Sequence, residues 1–220
     1  VYLPVEIAEI TPQDDGQWGL RDAEGRLLGA YDAVLLTCPP EQAQRLTGDL
    51  VPEVYDRPVR MRAVWTVMAA FQRPLLTPLD GIVMDDLPLA WAARNNSKPQ
   101  RDRAPESWVL QAGSDISEDF IDHPREDVVS DLLAAFEHGL NEPLPPRMFA
   151  TAHRWLYAKA EATTGDRPSN DDISLFDPSL GLGFAGDWLN PPASVFYGIQ
   201  SAWQSGMDAA HRINAWAKHH

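Results

Sequence analysis

The chain has 220 residues, 44% of them hydrophobic, which is enough to bury the core of one large domain or two small ones. Its formal net charge of −14 disfavours nucleic acid and anionic membranes as partners, because an acidic surface repels phosphate groups. No apolar run approaches the roughly 20 residues of a membrane-spanning helix. The single cysteine, Cys38, excludes an internal disulfide, so we expect a cytoplasmic protein.

The N-terminal part of the sequence predicts several strands and one short helix. β-Branched residues are frequent in residues 1–10, and residues 16–38 contain further strand-like stretches. Residues 22–25 suit a hairpin turn, because the glycine at its end tolerates a positive φ. Residues 33–36 form a continuous apolar run, which is typical of a strand buried on both faces. A short helix is predicted over residues 41–46.

The rest of the chain predicts more strands than helices. One helix is predicted to begin at Pro124 and end at Gly139, and a long final helix covers about residues 198–216. The acidic stretch 117–127 is interpreted as a solvated surface that leads into the first of these helices. Strands are predicted near residues 60–74, 82–84, 89–93, 108–112, 149–160 and 180–184. Because the helices do not alternate regularly with strands, the pattern predicts an α+β fold.

Three glycines, Gly181, Gly183 and Gly186, spell G-x-G-x-x-G, the fingerprint of a dinucleotide-binding turn. That turn requires a helix beginning at its last glycine, so that the helix N-terminus faces the pyrophosphate. Residues 187–192 contain two adjacent prolines and cannot open such a helix. The pattern therefore fails as a pyrophosphate turn, and a glycine-rich turn without a ligand is an alternative.

Small residues recur at four-residue spacing on the last predicted helix, at Gly198, Ala202 and Gly206. One face of this helix is therefore nearly bare backbone. Such a face suits the close approach of another element or of a flat ligand. The Gly186–Asp187 pair upstream would place a carboxylate beside a ribityl or ribose hydroxyl.

Several stretches, taken in order, resemble the flavin-containing amine oxidase superfamily, and its renalase-like branch in particular. They read LPVEIAEI, YDAVLLTCPP, NNSKPQR, HRWLYA, and GFAGDW followed by SAWQSG. The resemblance spans nearly all of the chain. It identifies the glycine-rich stretch as the closing FAD-binding motif of the family, at the flavin end of the cofactor.

The resemblance implies FAD as the cofactor and assigns its contacts. Asp187 would hold the ribityl hydroxyls, and the Ile199 N–H would face the pyrimidine edge of the flavin at the positive end of the last helix. Val5 would contact adenine through its backbone, and Thr37 ends a strand near the expected cofactor position. The complete set of candidate cofactor residues is Val5, Thr37, Gly186, Asp187, Gly198, Ile199 and Ala202.

Catalytic residues are not assigned, but several side chains are candidates for the substrate face. Aromatic side chains would supply flat apolar walls, although each has an alternative role in the core. For the arginine, the alternative is a surface ion pair. The candidates are Trp91, Trp155, Tyr157, Arg154 and Tyr197. Cys38 is interpreted as a buried free thiol, and no histidine spacing indicates a metal site.

The resemblance implies two domains. Residues 1–48 would return into an incomplete FAD-binding (Rossmann-like) domain, and residues 161–220 would add its closing motif and the C-terminal helix. Residues 49–160 would form a substrate-binding domain with a mixed, mainly antiparallel sheet and helices. The phosphate-binding βαβ unit that the family carries near its N-terminus is not in this sequence. We therefore expect a missing N-terminal FAD-binding segment, in the same gene or in a separate chain.

The implied function is part of an FAD-dependent oxidoreductase of the amine oxidase or renalase-like type. It would move a hydride from an amine or a dihydronicotinamide-type small molecule to the flavin, which O2 would reoxidise. Without the N-terminal segment, this chain is expected to be inactive. The alternatives are an inactive fragment and a non-catalytic α+β binding domain.

Overall fold

The computed structural model describes residues 4–56, 59–84, 88–162, 173–189 and 198–219. The chain forms two compact units, of which the first comprises Val1–Met61 and Ala160–His220 and the second comprises Arg62–Lys159. Residues 49–61, which we expected in the substrate-binding domain, group with the first unit. The reason is that Val51 and Val54 are buried in its hydrophobic core.

The elements follow one another in a mixed order. The first are β1 (Ile7–Pro12), β2 (Trp18–Asp22), β3 (Leu27–Tyr31), β4 (Val34–Leu36), α1 (Pro40–Thr47) and α2 (Pro52–Tyr55). Next come β5 (Val59–Phe71), β6 (Gly81–Val83), β7 (Leu89–Arg94), β8 (Glu106–Ala112), α3 (Ser114–Asp119), α4 (Arg125–Leu140) and β9 (Arg147–Ala162). The last are β10 (Ser174–Asp177), β11 (Leu182–Ala185) and α5 (Gly198–Trp216), with short 3-10 turns at Asn95–Ser97 and Asp187–Leu189. The predicted α+β class with mainly antiparallel sheets is confirmed.

The first unit contains two small sheets. One is the antiparallel meander β1-β2-β3, in which Gly25 closes the predicted hairpin turn at φ +76°. The other has the order β10-β11-β4, in which β11 pairs antiparallel with β10 and parallel with β4. The parallel register joins Leu182 to Val34 and Phe184 to Leu36. Because two parallel strands end at the same edge, this pairing brings the residues after Leu36 and after Ala185 together.

Helix α5 packs on the β10-β11 pair through polar contacts. The Ser174 hydroxyl donates to the Asp208 carboxylate at 2.7 Å, and the same carboxylate accepts from Arg212 at 2.8 Å. The core beneath contains Leu182, Phe184 and other apolar side chains of both sheets and α1. This packing fixes the helix against the strand that carries the glycine-rich stretch.

The second unit is a five-stranded sheet with the order β6-β7-β8-β5-β9. Helix α4 covers one face, where Phe136 lies against Trp108 with ring centroids 5.0 Å apart. Strand β8 alternates buried residues, Trp108, Leu110 and Ala112, with half-buried ones. Since successive side chains of a strand point to opposite faces, this alternation defines a core face and a second face. We call the second face, opposite α4, the distal face.

Two expectations about helices need correction. Residues 114–119 form α3, a helix that we did not predict at the start of the acidic stretch 117–127. Ser117 is buried and its hydroxyl accepts from the Trp65 N–H at 3.0 Å, whereas Asp119 and Asp122 are exposed as expected. Helix α4 ends at Leu140, and Asn141 rather than Gly139 takes the left-handed conformation, at φ +52°. Asparagine tolerates this conformation better than most residues, so the helix continues one residue beyond Gly139 before it ends.

Two features that concern membranes and metals are absent from the described residues. No helix among them is sufficiently long and apolar to cross a membrane. Within the same residues, no group of three or more His, Cys, Asp or Glu side chains could hold a metal ion.

Candidate functional site

The glycines of the G-x-G-x-x-G stretch serve chain packing. Gly181 has φ +62°, and a Cβ there would lie 2.5 Å from the backbone oxygen of Asp32. A Cβ at Gly183 would lie 3.1–3.2 Å from Phe176, Leu175 and Leu35 in the neighbouring strands. Backbone contacts within the sheet thus require the first two glycines, and β11 leads into a 3-10 turn rather than directly into a helix. The structure therefore gives no helix that begins at Gly186.

Gly186 lies where β11 ends, between a tryptophan and the final helix. A Cβ at this position would lie 2.7 Å from both Cδ1 and Nε1 of Trp188, so the pyrrole edge of the indole covers the glycine. The Gly186 N–H donates to the Ser205 hydroxyl of α5 at 2.9 Å. Ser205 is buried, so this bond ties the turn to the helix within the core.

The carboxylate of Asp187 lies at the amino end of α5. A Cβ on Gly198, the first residue of the helix, would be 3.5 Å from Asp187 Oδ2. The side chain is half-buried, and no ion pair to it is present among the described residues. Burial raises the pKa of the Asp187 carboxyl, while its own N–H and the Trp188 N–H act in the opposite direction as hydrogen-bond donors.

Helix α5 carries an exposed small and apolar stripe that begins beside Asp187. Ile199 is 90% exposed, and Trp203 and Met207 follow it at four-residue spacing with 71% and 45% exposure. Ala202 is exposed, and apart from the adjoining part of α5 itself no described atom lies within 4 Å of a Cβ placed on Gly206. Within the described part of the chain, no element covers the stripe, so the close packing that we expected on this face is not provided there.

The parallel pairing brings Thr37 to the same sheet edge as Gly186 and Asp187. Thr37 follows β4 directly and is exposed, and Gly186 follows β11 directly. The carboxyl ends of parallel strands are where open α/β sheets bind ligands. Val5 is 42% exposed and lies in no strand; it precedes β1, which belongs to the other sheet of this unit.

Cys38 is half-buried against the core of the first unit. Burial raises the pKa of its thiol, and Arg45 acts weakly in the opposite direction. A thiol with a raised pKa is mostly protonated at neutral pH and is a poor nucleophile. We interpreted Cys38 as a buried free thiol, and the structure shows it half-buried rather than buried.

The substrate-face candidates of the second unit lie on two different faces of its sheet. Trp91 pairs with Gln111 in the β7–β8 register and lies on the distal face. Trp155 and Tyr157 alternate with the buried Ala152 along β9, which also places them on the distal face. The His153 ring packs against Trp155 with centroids 4.3 Å apart. Tyr197 lies outside the described residues.

Arg154 lies on the opposite face from its neighbours in the chain. Its guanidinium donates to the Ile121 carbonyl, forms an ion pair with Asp122 at 3.4 Å, and lies 5.9 Å from the Trp65 ring centroid. These contacts hold the loop after α3 and match the ion-pair alternative for this residue. The alternation of side chains along a strand would have indicated this separation from Trp155.

Two polar residues of the distal face were missed by the sequence reasoning. Thr66 pairs with Gln111 in the β5–β8 register, so the two side chains are neighbours on this face. Thr66 is 5% exposed, and its hydroxyl has no hydrogen-bond partner among the described residues. Only the strand register, which the sequence did not reveal, brings these residues beside Trp91.

We expect the raised pKa of Asp187 to appear in the pH dependence of stability. The folded chain holds this proton more tightly than the unfolded chain, whose carboxyl titrates near the ordinary value of 3.8. The free-energy cost of ionising Asp187 in the folded chain is therefore absent below pH 3.8. It grows as pH rises above that value and levels off once pH exceeds the raised pKa of the folded chain. Relative to wild type, Asp187→Asn should become more stable as pH rises from about 4 to 7, as urea unfolding would measure.

Asp49→Asn is a matched control for this experiment. Asp49 is an exposed carboxylate of the same unit. Its stability difference from wild type should stay flat over the same pH range. A flat difference for Asp187→Asn as well would contradict the placement of Asp187 in a desolvated position.

Comparison with known proteins shows the fold. No protein-family model matches the chain. A structure of putrescine oxidase bound to putrescine is similar with a TM-score of 0.68 at 12% identity, over 98% of this chain and 49% of that one. Cyclohexylamine oxidase from Brevibacterium oxydans is similar with a TM-score of 0.61 at 15% identity, again over 98% of this chain and 49% of that one.

A third similar structure is that of reduced UDP-galactopyranose mutase. Its TM-score is 0.57 at 14% identity, over 84% of this chain and 41% of that one. The chain therefore spans about half the length of each of these proteins or less. At these identities the similarity establishes architecture, and on that basis the chain has the fold of about half of an amine oxidase such as putrescine oxidase or cyclohexylamine oxidase.

Proposed function

We propose that the first unit binds the flavin end of FAD at the edge where β4 and β11 end. The observation that carries this proposal is the half-buried Asp187 carboxylate beside Gly198, at the amino end of a 19-residue helix. Such a helix end carries partial positive charge and free N–H groups, which favour an electron-rich ligand atom. The adjacent carboxylate accepts hydrogen bonds from hydroxyls. Together they suit a ring with a sugar-alcohol chain.

The residues present fit such a group in three ways. The indole N–H of Trp188, a residue only 3% exposed, has no hydrogen-bond partner among the described residues. The helix surface at Ile199, Ala202 and Gly206 is uncovered by the described residues and has room for a flat ring. Thr37 adds a hydroxyl at the same edge. A buried unpaired donor is costly, so a ligand that approaches this turn would gain from satisfying it.

We propose further that the protein is an FAD-dependent oxidoreductase of the amine oxidase, renalase-like type. Support comes from the shared fold with putrescine oxidase and cyclohexylamine oxidase, together with the sequence motifs. The chemistry that FAD supplies when bound is acceptance of a hydride from an amine or dihydronicotinamide-type substrate, with return of the electrons to O2. The redox chemistry belongs to the cofactor. The protein positions the cofactor and substrate and sets the electrostatic potential around them.

In this proposal each part of the chain has a physical task. Asp187 would orient the ribityl chain, and the N–H groups at the start of α5, including that of Ile199, would stabilise negative charge on the ring. The distal face of the second unit, with Trp91 and Trp155, would bind the substrate through flat apolar side chains. Val5 would contribute backbone contacts to the adenine part.

A partner segment is part of the proposal. The solved relatives are about twice as long as this chain, and a phosphate-binding βαβ unit is not among its motifs. We propose that such a unit, from the same gene or another chain, cradles the pyrophosphate and is required for activity. The first unit, Val1–Met61 with Ala160–His220, would then complete the cofactor-binding domain, and the second unit, Arg62–Lys159, would form the substrate-binding domain.

Riboflavin tests the cofactor proposal without its phosphate part. It contains the ring and the ribityl chain, which are the groups that this turn would contact. We expect the 220-residue chain to quench riboflavin fluorescence saturably. Asp187→Asn should weaken binding by about tenfold or more, because a hydrogen bond to a charged acceptor contributes roughly 1.5–3 kcal/mol.

Asp49→Asn should leave the dissociation constant of riboflavin unchanged, since that carboxylate is exposed and distant in sequence from the turn. Equal affinities for wild type and Asp187→Asn would contradict the role of the carboxylate. At about millimolar protein even weak riboflavin binding is detectable. The absence of saturable quenching at that concentration would therefore contradict the proposed flavin site.

A further inference from the structure

The loop between β7 and β8, residues 95–105, carries a local concentration of positive charge. Lys98, Arg101 and Arg103 lie within six residues and are exposed, in a chain that has 18 basic residues and a net charge of −14. Asp102 is the one acidic residue of this loop, so the loop has a formal excess of two positive charges. The field near the loop therefore attracts anions that the rest of the surface repels.

The three cations of the loop are not neutralised by the described part of the chain. Their side chains form no hydrogen bond or ion pair with any described residue. Arg94, which ends β7, behaves differently, because it binds the carboxylates of Asp80 at 2.9 Å and Glu106 at 3.0 Å. The guanidinium and ammonium groups of the loop therefore keep all their donors for a ligand.

Hydrogen bonds of Asn96 hold the loop in one shape. Its side-chain nitrogen donates to the carbonyl oxygens of Asp102 at 2.7 Å and of Pro105 at 2.9 Å, and its side-chain oxygen accepts from the Ser107 N–H at 2.7 Å. One half-buried side chain thus ties the start, the middle and the end of the loop together. A segment that is ordered before binding loses less conformational entropy when a ligand binds.

A tight turn brings the backbones of two of the cations together. The Arg101 N–H donates to the Lys98 carbonyl at 3.4 Å, across Pro99 and Gln100. Gln100 has φ +62°, which is the arrangement of a type II turn with proline in its second position. The first and last Cα atoms of such a turn lie within about 7 Å of each other. This position favours glycine or asparagine, and non-glycine residues held at a positive φ concentrate at ligand-binding sites.

The small size of the basic loop favours a small anion over a large one. Physiological salt screens charges beyond about 8 Å, so a small anion at the turn interacts mainly with the loop. A nucleic acid, an anionic membrane or a long acidic surface would also meet the acidic remainder of the chain. A guanidinium matches a phosphate through two parallel N–H···O bonds, and a lysine adds a point charge. The loop thus suits a compact oxyanion with more than one negative charge.

We propose that Lys98, Arg101 and Arg103 form a binding site for the phosphate group of a small molecule. Arg101 donates paired hydrogen bonds to two phosphate oxygens, Lys98 binds from the other end of the turn, and Arg103 adds attraction. Because the attraction grows with the charge of the ligand, a doubly charged phosphate binds more tightly than a carboxylate. The site is independent of the proposed flavin site, since the loop belongs to the second unit and Asp187 to the first.

The test is a titration of the 220-residue chain with phenyl phosphate, pyrophosphate and acetate, followed by the backbone amides of the loop in nitrogen-15 spectra. Sodium chloride is adjusted so that the ionic strength stays at about 0.15 M. Both phosphates should shift these amides saturably with dissociation constants in roughly the millimolar range, because exposed charge pairs each contribute little. Acetate should not saturate. The tighter of the two phosphates identifies the natural source as a monoester or a diphosphate, and either result supports the inference.

Loss of either turn cation should weaken phosphate binding. Arg101→Gln and Lys98→Gln should each raise the dissociation constant by about three- to fivefold, in line with the loss of one exposed charge pair. Arg125→Gln and Lys218→Gln are the matched controls, because they remove the same charges at exposed positions outside the loop. Both controls should leave the dissociation constant within about twofold of wild type, since distant charges are screened.

One variant should bind phosphate more tightly, which misfolding cannot cause. Asp102→Asn removes the only negative side chain of the loop and keeps the backbone carbonyl that Asn96 binds. We expect its dissociation constant for either phosphate to fall by about two- to threefold, because a repulsive charge next to the ligand is gone.

Three outcomes would overturn the inference. Equal shifts with acetate and the phosphates would show an adventitious ion only. Phosphate binding that is unchanged in both Arg101→Gln and Asp102→Asn would place the anion elsewhere on the chain. A peptide of four glutamates that binds the loop more tightly than either phosphate, at the same ionic strength, would identify an acidic protein segment as the partner instead.

Discussion

Replacing Arg94 by leucine should lower the free energy of unfolding of the second unit by about 3–5 kcal/mol, the usual cost of leaving a buried charge without its partner. The Glu106 side chain is 6% exposed and accepts from Arg94 Nε at 3.0 Å. It also accepts from Trp108 Nε1 at 2.8 Å, and the guanidinium lies 5.0 Å from the centroid of that ring. Without Arg94, the Glu106 carboxylate keeps the Trp108 indole N–H as its side-chain donor among the described residues.

A double variant tests this explanation. In Arg94→Leu/Glu106→Gln the buried charge is removed, while an amide oxygen remains for the Trp108 indole. We expect the double variant to recover more than half of the lost stability in urea unfolding. If the single and the double variant are equally destabilised, the packing of the arginine stem rather than the charge pair accounts for the effect.

Replacing Phe184 by alanine should destabilise the first unit by about 3–5 kcal/mol, the range for large aromatic truncations in a packed core. Phe184 is 2% exposed in β11 and meets Tyr55 and Trp188 edge-on, with ring centroids 6.1 and 6.5 Å away. Phe184 lies in β11, two residues before Gly186, so the cavity would open in the strand that leads into the Gly186–Asp187 turn. The loss is therefore expected to weaken riboflavin binding as well.

Hydrogen exchange followed by mass spectrometry would locate this effect. Amides of β10, β11 and β4 should exchange faster in Phe184→Ala, because local opening becomes less costly. Phe184→Leu keeps most of the volume and should cost less than about 1.5 kcal/mol. Phe176→Ala, in the neighbouring strand at a half-buried position, should lie between them. Equal exchange in wild type and Phe184→Ala would contradict the role of this ring in the core.

The sequence was most informative where local chemistry is strong. It predicted α5 over residues 198–216, the Gly25 hairpin turn and the short helix α1, each within a residue or two. It also predicted that residues 33–36 form a strand buried on both faces, and β4 is the strand that pairs parallel with β11. Helix periodicity, a glycine at a positive φ and a continuous apolar run depend on few neighbours, so they are visible without a fold.

Other features were missed because they depend on distant contacts. Helix α3 has only six residues, too few to be stable alone, and its buried Ser117 bonds to Trp65 more than fifty residues away in the chain. The Thr66–Gln111 pairing depends on a register between strands that no local signal encodes. The separation of Arg154 from Trp155, by contrast, follows from strand alternation and was available from the sequence.

By itself, the sequence determined the α+β class, the glycine-rich stretch with its Gly186–Asp187 pair, and the long last helix, because these arise from residue types at fixed short spacings. Tertiary structure alone decided that Asp187 lies beside Gly198, that Thr37 shares its sheet edge, and that Trp91, Gln111 and Thr66 form one row. The physical reason is that a site consists of side chains from separate strands and helices. Their distances are set by strand pairing and core packing, which act between residues far apart in the chain.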